Sequence, residues 1–340
     1  RYEQTLACLA IGWIIAGIYF RLVPIDMLFC ITSMAAARVI TQCDQFESRQ
    51  ILCAIEKYQR WSAVIDFERY AGSFGNIGSV IRHLPVMPST MDMAWEMARG
   101  GAPEGTVIIA DEQSAGRGRY KRAWISEGAE DILCSIVLKP RLSLVPELLM
   151  IAALACVDVT ENYGLTSGLK WPNDVQINGR KLAGVIAESI TEAGAANHTV
   201  TSSISRSDSE SRGMIAVIGI GLNVNLNPMD HTEIRGRSTS LSFELDRTVD
   251  RAEVFETLMH SVDRHYSHIL SGGTVLPAWR EKLTTLGREV TVAYGKPSPL
   301  PELKGLATDV DSVGRLIVRD ENQRDWPVSS GEVTIREIKS

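Results

Sequence analysis

The run Lys170-Trp171-Pro172-Asn173-Asp174-Val175, closing on Lys181-Leu182-Ala183-Gly184, sets two lysines, an Asn and an Asp within twelve positions of an otherwise apolar strand pattern. Cations and carboxylates are rarely buried without a partner. Charges set among Val175, Ile177, Leu182, Val185 and Ile186 therefore point to a site for an anionic ligand. The alternative is a surface hairpin turning at Asn178-Gly179, with its charges in water. A second segment, Gln113-Ser114-Ala115-Gly116-Arg117-Gly118-Arg119-Tyr120-Lys121-Arg122-Ala123-Trp124, follows the apolar run Val107 to Ala110. Its two glycines let the backbone approach a ligand closely. Three arginines and a lysine within six positions exceed what a fold needs. Arginine grips phosphate and carboxylate bidentately, and Trp124 offers a flat face to a base. Read alone, the segment could be a solvated basic loop touching nucleic acid. Its place, about 50 residues ahead of the Lys-Trp-Pro-Asn-Asp run, favours the anion site.

The whole chain narrows the choices. Its 340 residues imply two or three domains, and 45% hydrophobic and 22% charged residues are globular values. A net charge of -6 argues against broad polyanion binding, so the arginine cluster is a local site in an acidic protein. The six cysteines (Cys8, Cys30, Cys43, Cys53, Cys134, Cys156) form no C-x-x-C pair. No disulfide framework or zinc site is expected, and a reducing cytoplasm fits. His260, His265 and His268 share a helical pattern but no ligand spacing.

The elements that must position these residues follow from periodicity. Residues 1–73 read as an atypical segment: Gln4 to Phe20 is uncharged, and Arg21, Pro24 and Asp26 cut it short of a membrane span. It is expected to be translated sequence ahead of the true start rather than an anchor or a buried helix. No helix-turn-helix pattern is visible there. From 74 the pattern is α/β. Ser89 or Thr90 caps a helix from Met91 to Arg99 that ends at Gly100-Gly101. Strands are expected at Thr106–Ala110, Ile132–Leu138, Leu169–Trp171, Val175–Ile177, Lys181–Ser189 and Met214–Asn225. Helices are expected at Pro146–Tyr163, Arg251–Leu270 and Ala278–Leu283. The Ser- and Thr-rich stretch Thr191 to Arg212 reads as a mobile hairpin tip. From about 285 to 340, short strands at Val290–Tyr294, Leu303–Thr308, Leu316–Arg319 and Glu332–Arg336 suggest a small β barrel.

Together, Ser89-Thr90, the loop Gln113 to Trp124, Lys170 to Asp174, Lys181 to Gly184 and Gly219-Ile220-Gly221-Leu222-Asn223-Val224-Asn225 resemble the biotin–protein ligases, in that family's order and spacing. The match covers roughly three quarters of the chain, and the motifs are specific only as a set. The resemblance implies an α+β fold. It has a class II synthetase-like mixed sheet with flanking helices over 74–284, then a small SH3-like β barrel over 285–340. It implies that biotin and ATP, with Mg2+, give biotinoyl-AMP, and that biotin passes to a lysine of the biotin carboxyl carrier domain of a carboxylase. Lys181, Arg117 and Arg119 become the catalytic candidates, because cations must offset the charges of a carboxylate meeting a phosphate. Ser89, Thr90, Gln113, Gly116, Arg117, Gly118, Arg119 and Lys181 become the biotin contacts. Arg119, Arg122, Trp124, Asn173, Asp174 and Asn223 become the nucleotide contacts, with Asp174 a ligand for Mg2+ brought by ATP.

Three positions depart from the family pattern: Lys121 stands for Gly, Met91 for Asn, and Asp131-Ile132-Leu133 for Asn-Leu-Tyr. The rival functions are a lipoate–protein ligase of the same fold, a biotin-sensing repressor, which needs a DNA-binding domain not seen here, and a membrane-tethered protein. The expected partner is a carrier domain, with no nucleic acid or membrane, and the expected state is a monomer or weak homodimer.

Overall fold

Apolar runs of alternating and continuous type build the central sheet. The computed structural model describes residues 65–119, 123–126, 128–191, 214–293 and 302–335. Seven strands form one mixed sheet: β1 (Ile81–Met87), β2 (Val107–Gln113), β3 (Ile132–Leu138), β4 (Gly168–Lys170), β5 (Asp174–Ile177), β6 (Arg180–Thr191) and β7 (Met214–Leu222). Their order is β1-β2-β3-β7-β6-β5-β4, with β1 and β2 parallel and every other pair antiparallel. β3 is buried along its whole length, as a central strand of seven apolar or small residues must be. β5 and β6 form the hairpin expected at Asn178-Gly179, and both turn residues have positive φ (51° and 76°).

Helices cover both faces. Helix α1 (Thr90–Arg99) starts where the Ser89 hydroxyl accepts from the Asp92 N–H, 3.5 Å away. It buries Met91, Ala94, Trp95 and Ala98 against Ile108, Ala110, Val137 and Val217. On the other face lie α2 (Val145–Asn162) and, after the short α3 (Leu241–Leu245), α4 (Arg251–Leu270) and α5 (Leu276–Glu281). α2 is apolar on nearly every side because sheet and helices enclose it. Its segment Leu142–Asn162 is long and apolar enough to cross a membrane by length alone, but most of it is buried in this core. The stripe Val254, Phe255, Leu258, Met259, Val262, Tyr266 and Ile269 sets α4 against α2 and the sheet.

One compact unit runs from Ile65 onward. The expected boundary at 74 is therefore too late. Phe67 is fully buried, and its ring meets Phe255 edge-on at 4.9 Å. The earlier segment, the Tyr120-Lys121-Arg122 triplet and the expected hairpin tip Thr191 to Arg212, apart from Thr191 at the end of β6, lie outside the described residues.

The C-terminal strands β8 (Glu289–Ala293), β9 (Leu303–Val310), β10 (Leu316–Arg319), β11 (Asp325–Val328) and β12 (Glu332–Ile335) form an antiparallel five-stranded sheet, order β11-β10-β9-β8-β12. It is tied to the first sheet at the Lys-Trp-Pro-Asn-Asp run. Trp171 Nε1 donates to the Gly314 carbonyl at 3.0 Å, and Trp171 N–H donates to Thr285 Oγ1 at 2.9 Å. Gly314 has φ +79°, and a Cβ there would stand 2.4 Å from Met150 Cε, so the contact requires glycine.

Candidate functional site

A cleft of about 220 Å3 opens where α1 begins and β4, β5, β6 and β7 converge. Two sets of polar groups reach it from opposite sides. At one end, Gln113 Oε1 accepts from Thr90 N–H (2.7 Å) and Thr90 Oγ1 (3.1 Å), and Ser135 Oγ donates to Thr90 Oγ1 at 2.8 Å. Ser89, Thr90 and Ser135 are all buried, so this end is a fixed set of donors and acceptors suited to a neutral polar ring. Met91 closes the same end: a Cβ on Gly219 would lie 2.8 Å from its sulfur.

The other end is cationic. Arg117, Arg119, Lys170 and Lys181 line the cleft, against Asp174 as the one lining acid among the described residues. Lys181 Nζ pairs with Asp174 Oδ1 at 2.7 Å, each side chain about 30% exposed (31% and 27%). The same ammonium stands 5.2 Å from the Trp124 ring centroid, in cation–π range. Arg119 donates to Asn173 Oδ1 (3.1 Å) and to the Gly331 carbonyl (3.0 Å), so a loop arginine bridges the first sheet and the C-terminal one. Val333 of β12 also lines the cleft. Arg117 pairs with Asp92 in the first turn of α1. Asn173 Nδ2 donates to the Val185 carbonyl, which locks its side chain.

Gly184 and Gly221 are register partners on β6 and β7. A Cβ on Gly184 would meet Trp124 Cζ3 at 2.9 Å, and one on Gly221 would meet Cε2 and Cζ2 at 2.7 Å. The indole therefore lies across two bare glycines. Its Nε1 is buried without a partner.

Among the expected site residues, the structure gathers Ser89, Thr90, Gln113, Arg117, Gly118, Arg119, Trp124, Asn173, Asp174 and Lys181 around the one cleft. Gly116 stands just behind it, its carbonyl accepting from Trp124 N–H at 3.0 Å. Asn223 does not line the cleft. It is buried, donates from Nδ2 to the Thr239 carbonyl at 2.8 Å, and leaves Oδ1 without a partner. Arg122 lies outside the described residues. The chain does turn at Asn178-Gly179, as the hairpin alternative has it, while Lys170, Asp174 and Lys181 line the cleft. The contributions of Gly331 and Val333 had no sequence signal, and neither did the pairing of Arg117 with Asp92.

The donor set bears on a metal. Among the described residues no cluster of three His, Cys, Asp or Glu side chains could hold one. Asp174 is a single carboxylate already paired with Lys181, so the cleft fits a cation only when phosphates supply most of its ligands.

Residues 83–205 match the biotin/lipoate A/B protein ligase family. The biotin–[acetyl-CoA-carboxylase] ligase of Mycobacterium tuberculosis is 31% identical over 273 residues, 75% of this chain and 90% of that protein. The bifunctional ligase/repressor BirA of Bacillus subtilis is 34% identical over 201 residues, 58% of this chain. The matched part spans only 57% of that relative's length. The Aquifex aeolicus biotin protein ligase, solved in complex with biotin and ATP, shares the fold (TM-score 0.59, 24% identity, 75% of this chain and 98% of that one). With a relative of this identity matched over nine-tenths of its length, the chain belongs to the biotin–protein ligase family.

Proposed function

We propose that this protein activates biotin with ATP and transfers it to a lysine of a biotin carboxyl carrier domain. The observation that carries the reading is the two-ended cleft, in which buried Ser89 and Thr90, backed by Ser135, and half-buried Gln113 face a cationic set at Arg117, Arg119 and Lys181. The polar end matches the ureido ring of biotin, which needs partners for both its carbonyl and its N–H groups when buried. The dithiolane ring of lipoate offers no such groups, so biotin is favoured.

In the first step a biotin carboxylate oxygen attacks the α-phosphorus of ATP, and pyrophosphate leaves with the electrons of the broken P–O bond. Two anions must approach, so Lys181 turns from Asp174 toward the joining oxygens and offsets the charge that builds there. Arg117 and Arg119 hold the carboxylate and phosphate oxygens from the opposite wall. Trp124 packs on the adenine, and Asn223, which lies behind the cleft wall in this structure, would reach the adenine amino group with its unpaired Oδ1 only once the nucleotide is seated. A Mg2+ ion brought by ATP, with Asp174 as protein ligand, would neutralise the triphosphate. In the second step a neutral carrier-lysine amine attacks the acyl carbon, AMP leaves with the electrons of the broken C–O bond, the amine's surplus proton passes to solvent, and Lys181 again faces the charge. The buried, unpaired thiols of Cys134 and Cys156 are in keeping with a reducing cytoplasm.

The test is pyrophosphate release from ATP in the presence of biotin or lipoate. Release that depends on biotin, with lipoate neither supporting nor competing, is expected. Release that depends on lipoate would replace the reading.

A further inference from the structure

Asp131 is fully buried directly before β3, outside the cleft. Its Oδ1 accepts from the Val224 N–H at 2.8 Å, and its Oδ2 accepts from the Ser126 hydroxyl at 3.0 Å. Val224 directly follows Asn223, and Ser126 stands two residues after Trp124. One carboxyl thus ties together the two segments that carry the proposed adenine contacts. Those contacts are the groups left with buried, unpaired polar atoms, Trp124 Nε1 and Asn223 Oδ1. The neighbouring backbone adds to the tie: Asn225 N–H donates to the Glu130 carbonyl at 2.9 Å.

The surroundings hold this anchor still. Arg251 of α4, itself buried, donates from Nε to the Asp131 carbonyl (3.0 Å) and from Nη2 to Asp111 Oδ1 (2.8 Å). Asp111 also bonds His83 Nε2 at 3.0 Å and lies on β2 two residues before Gln113. The base side of the site therefore shares one buried frame with the strand that carries the ring-end acceptor.

We infer that Asp131 is a positioning residue for the nucleotide, acting through Ser126 on Trp124 and through Val224 on Asn223 without touching substrate. The inference rests on the function proposed above. Burial pushes the Asp131 carboxyl up to about 6, so its charge is held at a cost in stability. An Asn here offers the same acceptor to Val224 and an amide donor to Ser126. Geometry is what the position supplies, and the amide preserves it.

The experiment measures KM for ATP and for biotin by pyrophosphate release in the full chain. Asp131→Ala is expected to raise KM for ATP about tenfold and leave KM for biotin within about twofold, as when a buried hydrogen-bond anchor is removed. Asp131→Asn is expected to restore KM for ATP to within about twofold of wild type. Ser126→Ala cuts only the Trp124 tie, serves if Asp131→Ala does not fold, and is expected to raise KM for ATP roughly threefold. Parallel shifts of both KM values in the variants, an unchanged KM for ATP in Ser126→Ala, or an Asp131→Asn variant as impaired as Asp131→Ala would overturn the inference. A wild-type chain with no biotin-dependent release would instead remove the function on which it rests, and that outcome is read before any variant is made.

Discussion

Replacing Lys181 by Ala removes the cation at the point where carboxylate and phosphate must meet. An ammonium about 4 Å from a phosphate oxygen contributes on the order of 4 kcal/mol at an effective dielectric of about 20. Lys181 is 31% exposed, so water screens part of this, and roughly 2 to 4 kcal/mol of transition-state stabilisation is at stake. That equals about a 30- to 1,000-fold loss in kcat/KM for adenylation. The stability cost is small by comparison. The Lys181–Asp174 pair is partly solvated on both sides, and pairs of that kind contribute about 0 to 1 kcal/mol. Tm is then expected to fall by no more than about 4 °C. Lys181→Arg keeps the charge and should retain at least about tenfold more activity than Lys181→Ala. The assay is biotin-dependent pyrophosphate release, with Tm from thermal unfolding in the same buffer. Release within about threefold of wild type by a folded Lys181→Ala enzyme would refute the reasoning, because it would leave the lysine only its ion pair.

Arg119→Ala removes the bridge from the loop to Asn173 and Gly331, and should speed escape of biotinoyl-AMP from preloaded enzyme far more than it lowers Tm; equal escape rates would return Arg119 to a purely structural part. Gly221→Val places a branched side chain where a Cβ alone already stands 2.7 Å from the Trp124 ring. Overpacking of about 1 to 3 kcal/mol should raise KM for ATP by roughly 5- to 100-fold, and an unchanged KM would mean that the indole need not lie on the glycines. Burial raises the folded pKa of Asp131 to about 6, above the ordinary aspartate value of about 3.9, so its contribution to stability is fully present below about pH 4 and is lost as pH rises through 6. Asp131→Asn should therefore be more stable than wild type at pH 7.5, by at most about 3 kcal/mol, with the advantage shrinking toward pH 4.5; a gap that does not change with pH would contradict this.

Elements with strong apolar runs were legible from sequence. β3 and α4 begin and end where periodicity placed them, and α1 begins at the expected serine cap. Two of the elements that escaped share a cause. β1 and β11 close the outer edges of their sheets, and each carries a proline, Pro85 and Pro327, that interrupts the strand signal. Proline is tolerated there because an edge strand need not donate on its open side. The five-residue α3 is too short for a helical period to register. Within the site, the cleft residues of the two charged motifs were legible because cations set within apolar runs have few structural uses. Gly331 was not, because its carbonyl meets Arg119 across 212 positions of sequence. Asp131 was visible only as a departure from the family pattern, and its anchoring of Val224 and Ser126 emerges only from the packing of three separate segments.

The central claim is that the cleft joins biotin to ATP and passes it to a protein. The most direct measurement is the mass of a biotin carboxyl carrier domain after incubation with the full chain, biotin, ATP and Mg2+. The account predicts a gain of one biotinoyl group on the acceptor lysine, dependent on ATP and strongly reduced in Lys181→Ala. An unmodified carrier from folded enzyme that binds both small substrates would contradict it.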